Sequence, residues 1–248
     1  SNRYVPMILP DGRSLHGSND AAIRIGLRLS KDETIGRMPF EVRHMGSKYP
    51  IFSFDFTGAK RGVLPASYDY LRLEGRMQYR LNLPPIGYSQ LMLEGGKIFG
   101  KVPYLLLKLH EGNGTYFYDR YAFSCMNFYE FSSDAWISFF YEHHFNGFLL
   151  GRVPLLKKLN WREVFVFKGV YGTLSARNDG SLPNTKAVML FPVGMSSVEH
   201  PNLEPGIGIE NIFRLLRGDC SWRLTHHRAV PGLSIPTFTV NFSLNLKF

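Results

Sequence analysis

The histidines, cysteines and serines are where chemistry would begin. His143 and His144 are adjacent, so in a strand they point to opposite faces and cannot hold one metal together. His226-His227 falls in an expected loop, and His110-Glu111 runs into the turn signal Gly112-Asn113-Gly114. None of these has a metal-ligand spacing, so the sequence gives no metal site and no cofactor. Cys125 and Cys220 are far apart and match no zinc pattern, and the sequence does not establish whether they pair. Ser138, Glu142 and His144 share one face of a strand, but steps of four and two residues separate them by about 13 and 7 Å. They cannot form a triad within that strand, and no Gly-x-Ser-x-Gly elbow exists elsewhere. No catalytic residue is assigned. These three read as polar lining of a wall.

The elements that must position such a lining are strands. In residues 135–145, Ile137, Phe139, Tyr141, His143 and Phe145 alternate with Trp136, Ser138, Phe140, Glu142 and His144. A period of two marks a strand with two unlike faces. The same alternation appears in residues 22–30, where Ile23, Ile25, Leu27 and Leu29 oppose Arg24 and Arg28, and in residues 52–57 around Phe52, Phe54 and Phe56. It is clearest over 69–81: Leu71, Leu73, Met77, Tyr79 and Leu81 fall on one side, Arg72, Glu74, Arg76, Gln78 and Arg80 on the other. Five charged or amide groups in register cannot enter a dry core, because unpaired buried charge is too costly. They face bulk water or a wet lumen. Further strands are expected at 89–99 and 161–173, with a hairpin pairing 120–131 with 135–145 around residues 132–134. Cys220, Trp222 and Leu224 alternate near the end, and Glu210-Asn211 reads as a turn. That gives about nine or ten strands and no long helix.

The closing stretch, residues 236–248, is the strongest pattern. Phe238, Val240, Phe242, Leu244, Leu246 and Phe248 alternate with Thr239, Asn241, Ser243, Asn245 and Lys247. It is long enough for a bilayer strand, which needs about 9–11 residues at a tilt near 45°. Phe242, Leu244, Leu246 and Phe248 resemble the terminal signal by which outer-membrane barrels are recognised for assembly. No run reaches the roughly 18 apolar residues of a membrane helix. A composition of 44% hydrophobic and 15% aromatic residues suits a barrel with aromatic girdles. The net charge of +9 is spread through strands and turns rather than gathered on one face, which argues against nucleic acid. The expected fold is therefore an all-β, antiparallel transmembrane β-barrel over residues 1–248.

Counting back from a periplasmic carboxyl terminus puts residues 226–235, 176–186, 132–134, 83–87 and 31–39 outside, and 146–160, 99–119 and 59–68 inside. Two inner connections resemble each other, Gly100-Lys101-Val102-Pro103-Tyr104-Leu105-Leu106 and Gly151-Arg152-Val153-Pro154-Leu155-Leu156. Each reads as a short amphipathic segment at the inner interface or packed under the barrel.

A set of ordered motifs also resembles a known family. They are Gly95-Gly96-Lys97 with Pro103-Tyr104-Leu105; Glu130-Phe131 with Asp134; Gly151-Arg152-Val153-Pro154-Leu155-Leu156; Trp161-Arg162-Glu163; Gly206 to Arg214; and Trp222-Arg223-Leu224-Thr225. Over roughly residues 70–248 the chain is similar to the carboxyl-terminal part of Bacteroidetes outer-membrane proteins of unassigned function. Those carry an amino-terminal carboxypeptidase-regulatory-like domain before a long barrel region. The resemblance implies an outer-membrane barrel in a Gram-negative bacterium and no catalytic residue. It also implies earlier strands, supplied by a longer chain or by another segment or subunit; with no signal-like start at Ser1-Asn2-Arg3, either a signal was cleaved or the chain is a fragment, and the fragment is the favoured reading.

These readings converge on an outer-membrane barrel with a transport or scaffold role. An outer-membrane enzyme acting on lipid or peptide and a soluble β-sandwich binding module are the alternatives. Arg24, Arg28, Arg72, Glu74, Arg76, Arg80, Glu142 and Asn241 are expected to face the lumen; Leu73, Phe139, Phe242 and Leu244 are expected to face lipid. A lysine at Leu244 should then be far more damaging than one at Asn241. Glu74 alone cannot neutralise the arginines, so other acids or water must, and the barrel should be wider than eight strands with water or a plug inside. Expected partners are outer-membrane lipid including lipopolysaccharide, the barrel-assembly machinery and subunits of an outer-membrane complex, with no nucleic acid.

Overall fold

The computed structural model describes residues 7–15, 17, 19–38, 41–44, 46–63, 65–181, 185–227 and 234–244. Nine strands form one antiparallel sheet: β1 (Ile23–Leu29), β2 (Ile51–Ala59), β3 (Tyr70–Asn82), β4 (Tyr88–Gly100), β5 (Ala135–His144), β6 (Arg162–Thr173), β7 (Asn202–Ile212), β8 (Leu216–Trp222) and β9 (Phe238–Leu244). Each lies beside its neighbours in chain order, so the sheet is a simple up-and-down meander. Helix is confined to short turns at Tyr104–Leu106, Leu150–Arg152 and Pro154–Lys157. β1 and β9 are the sheet's two edges; among the described residues they do not pair with each other and no barrel closes.

The two faces are sharply unlike. One carries Ile23, Ile25, Leu27, Phe52, Phe54, Phe56, Leu71, Phe99, Ile137, Phe165, Tyr171, Ile207, Trp222, Phe238, Val240, Phe242 and Leu244, all large, apolar and exposed. The opposite face carries most of the charged side chains, Lys97 and Glu163 lying on the apolar one by the ladders, and over β4–β9 it is covered by the chain's own connections. Residues 101–134, between β4 and β5, fold back over it, joined by 185–198 and 7–15. Met92, Phe140 and Val170 of the sheet pack there against Phe123, Met126, Phe131 and Val198. Ile98 and Trp136 pack against Val102, Tyr104, Leu107, Met189 and Met195. The core therefore lies between one sheet face and the segments laid over it.

The sheet curls toward that covered face. The ladders set Glu142 opposite Val166, Gly206 and Ser221, three strands across. Arg217 lies four residues further along β8, so a flat sheet would hold the two backbones about 19 Å apart. Yet Arg217 Nη2 donates to Glu142 Oε1 at 3.2 Å. Side chains that stand off the sheet can meet over such a span only if the sheet bends around them, as barrel closure requires.

Two glycines are forced by close approach. Gly87 (φ +106°) ends the β3–β4 turn, and a Cβ there would stand 1.8 Å from the His144 carbonyl oxygen. At Gly96 a Cβ would meet the Leu73 carbonyl and the Trp136 ring, each at 2.6 Å.

Four expectations need correction. Residues 120–131 are not a strand paired with β5; β4 is β5's neighbour, and 101–134 is one long connection. Removing that strand reverses the end assigned to every connection before it. The β1–β2 and β3–β4 connections leave the sheet at the same end as 145–161 and 213–215, while the β2–β3, β4–β5, β6–β7 and β8–β9 connections leave it at the other. The look-alike segments near 100–109 and 151–159 accordingly sit at opposite ends: the first is packed inside through Val102, Tyr104 and Leu107, the second leaves Val153 and Leu155 exposed. Glu210 is a strand residue of β7, and the turn follows at 213–215 after a bulge at Ile209/Ile212. Pro205 stays within β7, one residue before the ladder to β8 begins, and a Cβ at Gly208 would meet Asp219 Oδ1 at 2.3 Å.

Candidate functional site

The site is the polar contact between residues 101–134 and the covered face of β4–β9. Its centre is Glu142, buried on β5. Its Oε1 accepts from the Tyr118 hydroxyl and from Arg217, and its Oε2 accepts from Arg120 Nε at 2.9 Å. His144, two residues along the same face, stands 3.3 Å from Glu142, and its Nδ1 donates to Glu210 Oε2 of β7 at 3.2 Å. Arg217 also clasps Asp219, with Nε 2.8 Å from Oδ2 and Nη2 2.7 Å from Oδ1. The Tyr118 ring sits 4.5 Å from Lys168 Nζ and 4.4 Å from the Arg217 guanidinium, a cation–π arrangement on both sides. Burial, with the Glu142 charge, holds the Tyr118 hydroxyl protonated well above the usual phenol range.

Lys168 is buried on β6 and aims at backbone. Its ammonium donates to the Asp119 and Ala122 carbonyls at 2.7 and 2.6 Å. Near β8, Arg223 binds Glu130 Oε1 at 2.5 Å and the Cys125 carbonyl at 3.0 Å, while the Cys125 amide donates to Glu204 at 3.1 Å. At the far edge, Phe242 donates to the Tyr116 carbonyl and accepts from the Tyr118 amide, both at 2.7 Å, so residues 116–118 add a fragment of strand to β9. Toward β4, Lys108 bridges Glu94 at 2.7 Å and Glu111 at 3.0 Å. Burial opposes the Lys108 charge, but the two carboxylates outweigh it and hold the ammonium above its ordinary range. Beside it, burial and then the Lys108 charge push the His110 imidazole down to about 3, so it is neutral where its Nε2 meets Ser133 Oγ at 3.0 Å.

The arginines expected to line a wall all lie on this covered face, and acids there meet four of them. Arg24 pairs with Asp55 at 2.9 Å, Arg28 with Glu33 at 2.6 Å, Arg72 with Glu74 at 2.7 Å and Arg76 with Glu94 at 2.6 Å. Arg80 lies over the Tyr88 ring at 4.2 Å. Asn241 is on the same face, but it is buried under the covering segment and donates to the Thr115 carbonyl at 2.9 Å. A lysine there would lose that bond in an enclosed site, so a mild effect at Asn241 is no longer expected. Leu73, Phe139, Phe242 and Leu244 lie on the opposite, apolar face. Leu246 and Phe248, the rest of the expected terminal signal, lie outside the described residues.

Sequence reasoning missed the covering segment because it is aperiodic. It also missed one serine–histidine contact. Ser89 of β4 stands opposite His143 of β5, with Oγ 2.8 Å from Nδ1. The Ile86 carbonyl, 3.0 Å from Nε2, can only accept, so Nε2 carries the proton and Nδ1 accepts from Ser89. That is the orientation of a serine and its base. Both residues are buried, however, and Tyr141 shares the Ser89 oxygen at 3.0 Å, so the pair reads as a satisfied polar network. Ser138 does not join His144. Cys125 and Cys220 are both free thiols, and burial raises the Cys125 thiol to about 11, which makes it unreactive. No group of three metal-ligating side chains gathers among the described residues.

No curated protein matches the chain. Its residues 11–176 match the family described as "Family of unknown function (DUF5686) C-terminal domain", a stretch that begins well before the motifs at 95–225 and ends short of the last of them. The match spans most of the sequence, and the chain belongs to this family of unknown function.

Proposed function

We propose that the chain forms the wall of an outer-membrane β-barrel whose lumen is filled, over β4–β9, by residues 101–134 acting as a plug. One observation carries the reading: the apolar face is outside and the charged face is inside. Ile25, Phe56, Ile207 and Phe242 are 65, 45, 58 and 50% exposed, while Glu142, Lys168, Glu204 and Asp219 are 1% exposed. Soluble proteins do not expose contiguous apolar patches beyond a few hundred Å² without a partner, and this face runs across nine strands. Hydrocarbon is the partner that fits it. The strands β3–β7, 10–13 residues long, have the length a bilayer crossing needs. The curl and the edge position of β1 and β9 suit a barrel completed by further strands or by another subunit.

The tryptophans supply the test. Trp222 lies on the apolar face and Trp136 is enclosed on the other. Chain carrying Trp222 alone, reconstituted with brominated-chain lipid, should be strongly quenched, and chain carrying Trp136 alone should not. Equal quenching, or a chain that stays in water without lipid, would refute the reading.

Within it, transport is favoured over pure scaffolding by an asymmetry of the lumen. The β4–β9 half is dry and latched. In the β1–β3 half the Arg24 and Arg76 side chains are 65 and 50% exposed, and a cavity of about 900 Å³ opens between Arg80, Arg120, Lys48 and Asp32. Lys48, Arg80 and Arg120 outnumber Asp32 among the charged walls of that cavity, an excess that would favour anionic solutes. Planar-bilayer conductance of the intact protein checks this, with anion selectivity expected and a silent bilayer favouring the scaffold role. The barrel-assembly machinery would read the terminal strand through Phe242, Leu244, Leu246 and Phe248; Phe248→Ala should lower outer-membrane levels, and unchanged levels would remove that part of the reading.

A further inference from the structure

The end of the sheet that holds the β5–β6 and β7–β8 connections is unlike the rest. Phe213 is 83% exposed and Leu155 75%, with Leu149, Val153, Leu159 and Leu215 exposed around them. Among these apolar groups opens a cavity of about 480 Å³ whose walls include Lys157, Arg162, Arg214, Asn160, Asn211 and Trp161 and contain no acidic residue. Asn211 Nδ2 donates to the Asn160 carbonyl at 2.8 Å, so the two connections are fastened to each other and the cavity has fixed walls. Among the described residues, Lys157, Arg162 and Arg214 form no ion pair, whereas Arg24, Arg76, Arg217 and Arg223 meet acids at short range. The carboxylates beside Arg162 are turned elsewhere: Glu210, opposite it on the ladder, meets His144, and Glu163, next in the chain, accepts from the Leu150 amide.

Three cations around one hollow, with amide donors, an indole and a fringe of aliphatic side chains, match one kind of ligand. We propose that this cavity binds the phosphodiester headgroup of an anionic phospholipid, with Leu155 and Phe213 entering the acyl layer beside it. The inference rests on the chain spanning a bilayer, and places this end of the sheet at one membrane–water interface. A free phosphate would satisfy the cations but leave the apolar fringe in water. A lipid satisfies both. Trp161 supplies an amphipathic ring of the kind that settles at such an interface. Each basic residue near an anionic surface strengthens binding about fivefold, so three together supply on the order of a hundredfold.

The experiment uses the whole chain in detergent, titrated with phosphatidylglycerol, phosphatidylcholine or glycerol phosphate and read by native mass spectrometry. Phosphatidylglycerol should bind at least tenfold more tightly than phosphatidylcholine, and glycerol phosphate should compete only weakly. Arg214→Gln, in an exposed turn, should weaken phosphatidylglycerol about fivefold, and Lys157→Gln with Arg214→Gln roughly twenty-five-fold, with phosphatidylcholine unaffected. Arg24→Gln, a cation elsewhere on the sheet, should change nothing. Equal binding of the two lipids, unaltered binding by the double variant, or competition by glycerol phosphate at the lipid's own affinity would each overturn the proposal. Trp222 quenching separates the two levels: quenched Trp222 with no lipid preference defeats the headgroup site alone, and unquenched Trp222 defeats both.

Discussion

Ser53 and Phe54 are consecutive on β2 and face opposite ways, which makes them a matched pair for testing what lies on each side of the sheet. Phe54 is near the middle of Ile51–Ala59, stands between Leu27 and Gly75 on the neighbouring strands, and is 37% exposed. Its ring covers Gly75, where a Cβ would be 3.6 Å away, so it also shields that strand's backbone. Ser53 points into a small hollow shared with Arg24, Asp55, Glu74, Arg76 and Glu94. A lysine at a lipid-facing midplane position costs about 2–4 kcal/mol. Phe54→Lys should fall in that range, and the uncovered Gly75 backbone pushes it toward the top. Ser53→Lys puts its ammonium beside three carboxylates, in a site open enough to leave Arg76 half exposed, and should stay within about 1 kcal/mol.

The assay is folding into lipid vesicles across a urea series, followed by tryptophan fluorescence. In a soluble protein the sign would differ, because replacing an exposed phenylalanine by lysine is neutral or improves solubility. Equal midpoints for the two variants, or a Phe54→Lys chain that folds in water without lipid, would refute the assignment of the apolar face to hydrocarbon.

Three other outcomes follow from the latches. Glu130→Ala leaves the fully buried Arg223 charge without its carboxylate and should cost about 3–5 kcal/mol, read as protease cleavage within 101–134; replacing Glu130 and Arg223 together by methionine should recover most of it, and no recovery would contradict a pairwise latch. His110 is neutral in the fold with its pKa depressed to about 3, against 6.5 unfolded, so its contribution is intact above pH 6.5 and is lost as pH falls toward 3. Near pH 5 that amounts to about 2 kcal/mol, and His110→Gln should flatten this part of the stability–pH curve; an unchanged slope would sink the assignment. Gly96→Ala forces a methyl against the Leu73 carbonyl and the Trp136 ring and should cost about 1–3 kcal/mol of unfolding free energy, where a neutral result would show that Trp136 can move aside.

How far this was legible in the sequence depends on whether a feature is local. The faces of β1 to β5 follow from alternation alone, and Arg24, Arg76, Glu142 and Asn241 share a face because their strands keep a period of two. The acids that meet the arginines were not legible, since Asp55 and Glu94 come from neighbouring strands whose register only the ladder fixes. Nor was the burial of Asn241, which depends on Thr115, 126 residues away in sequence.

The assignment of connections to ends failed for a different reason. A side chain's face depends on counting residues within one strand, so an error there stays in that strand. A connection's end depends on counting whole strands from the carboxyl terminus, so one spurious strand at 120–131 misplaces everything before it and nothing after. Hence the count sets 83–87 apart from 146–160, whose end of the sheet it shares. The segment that caused the error is the one that matters most to the site. Residues 101–134 carry Val102, Phe123 and Met126 into two apolar clusters, yet offer Lys108, Tyr118, Arg120 and Glu130 to the charges of the wall. A sequence that must meet an irregular polar surface from within has no repeat of its own to display. Beside a sheet with one exposed apolar face and one charged face, an aperiodic stretch of this length, rich in both aromatics and charge, is itself the sign that the charged face is covered.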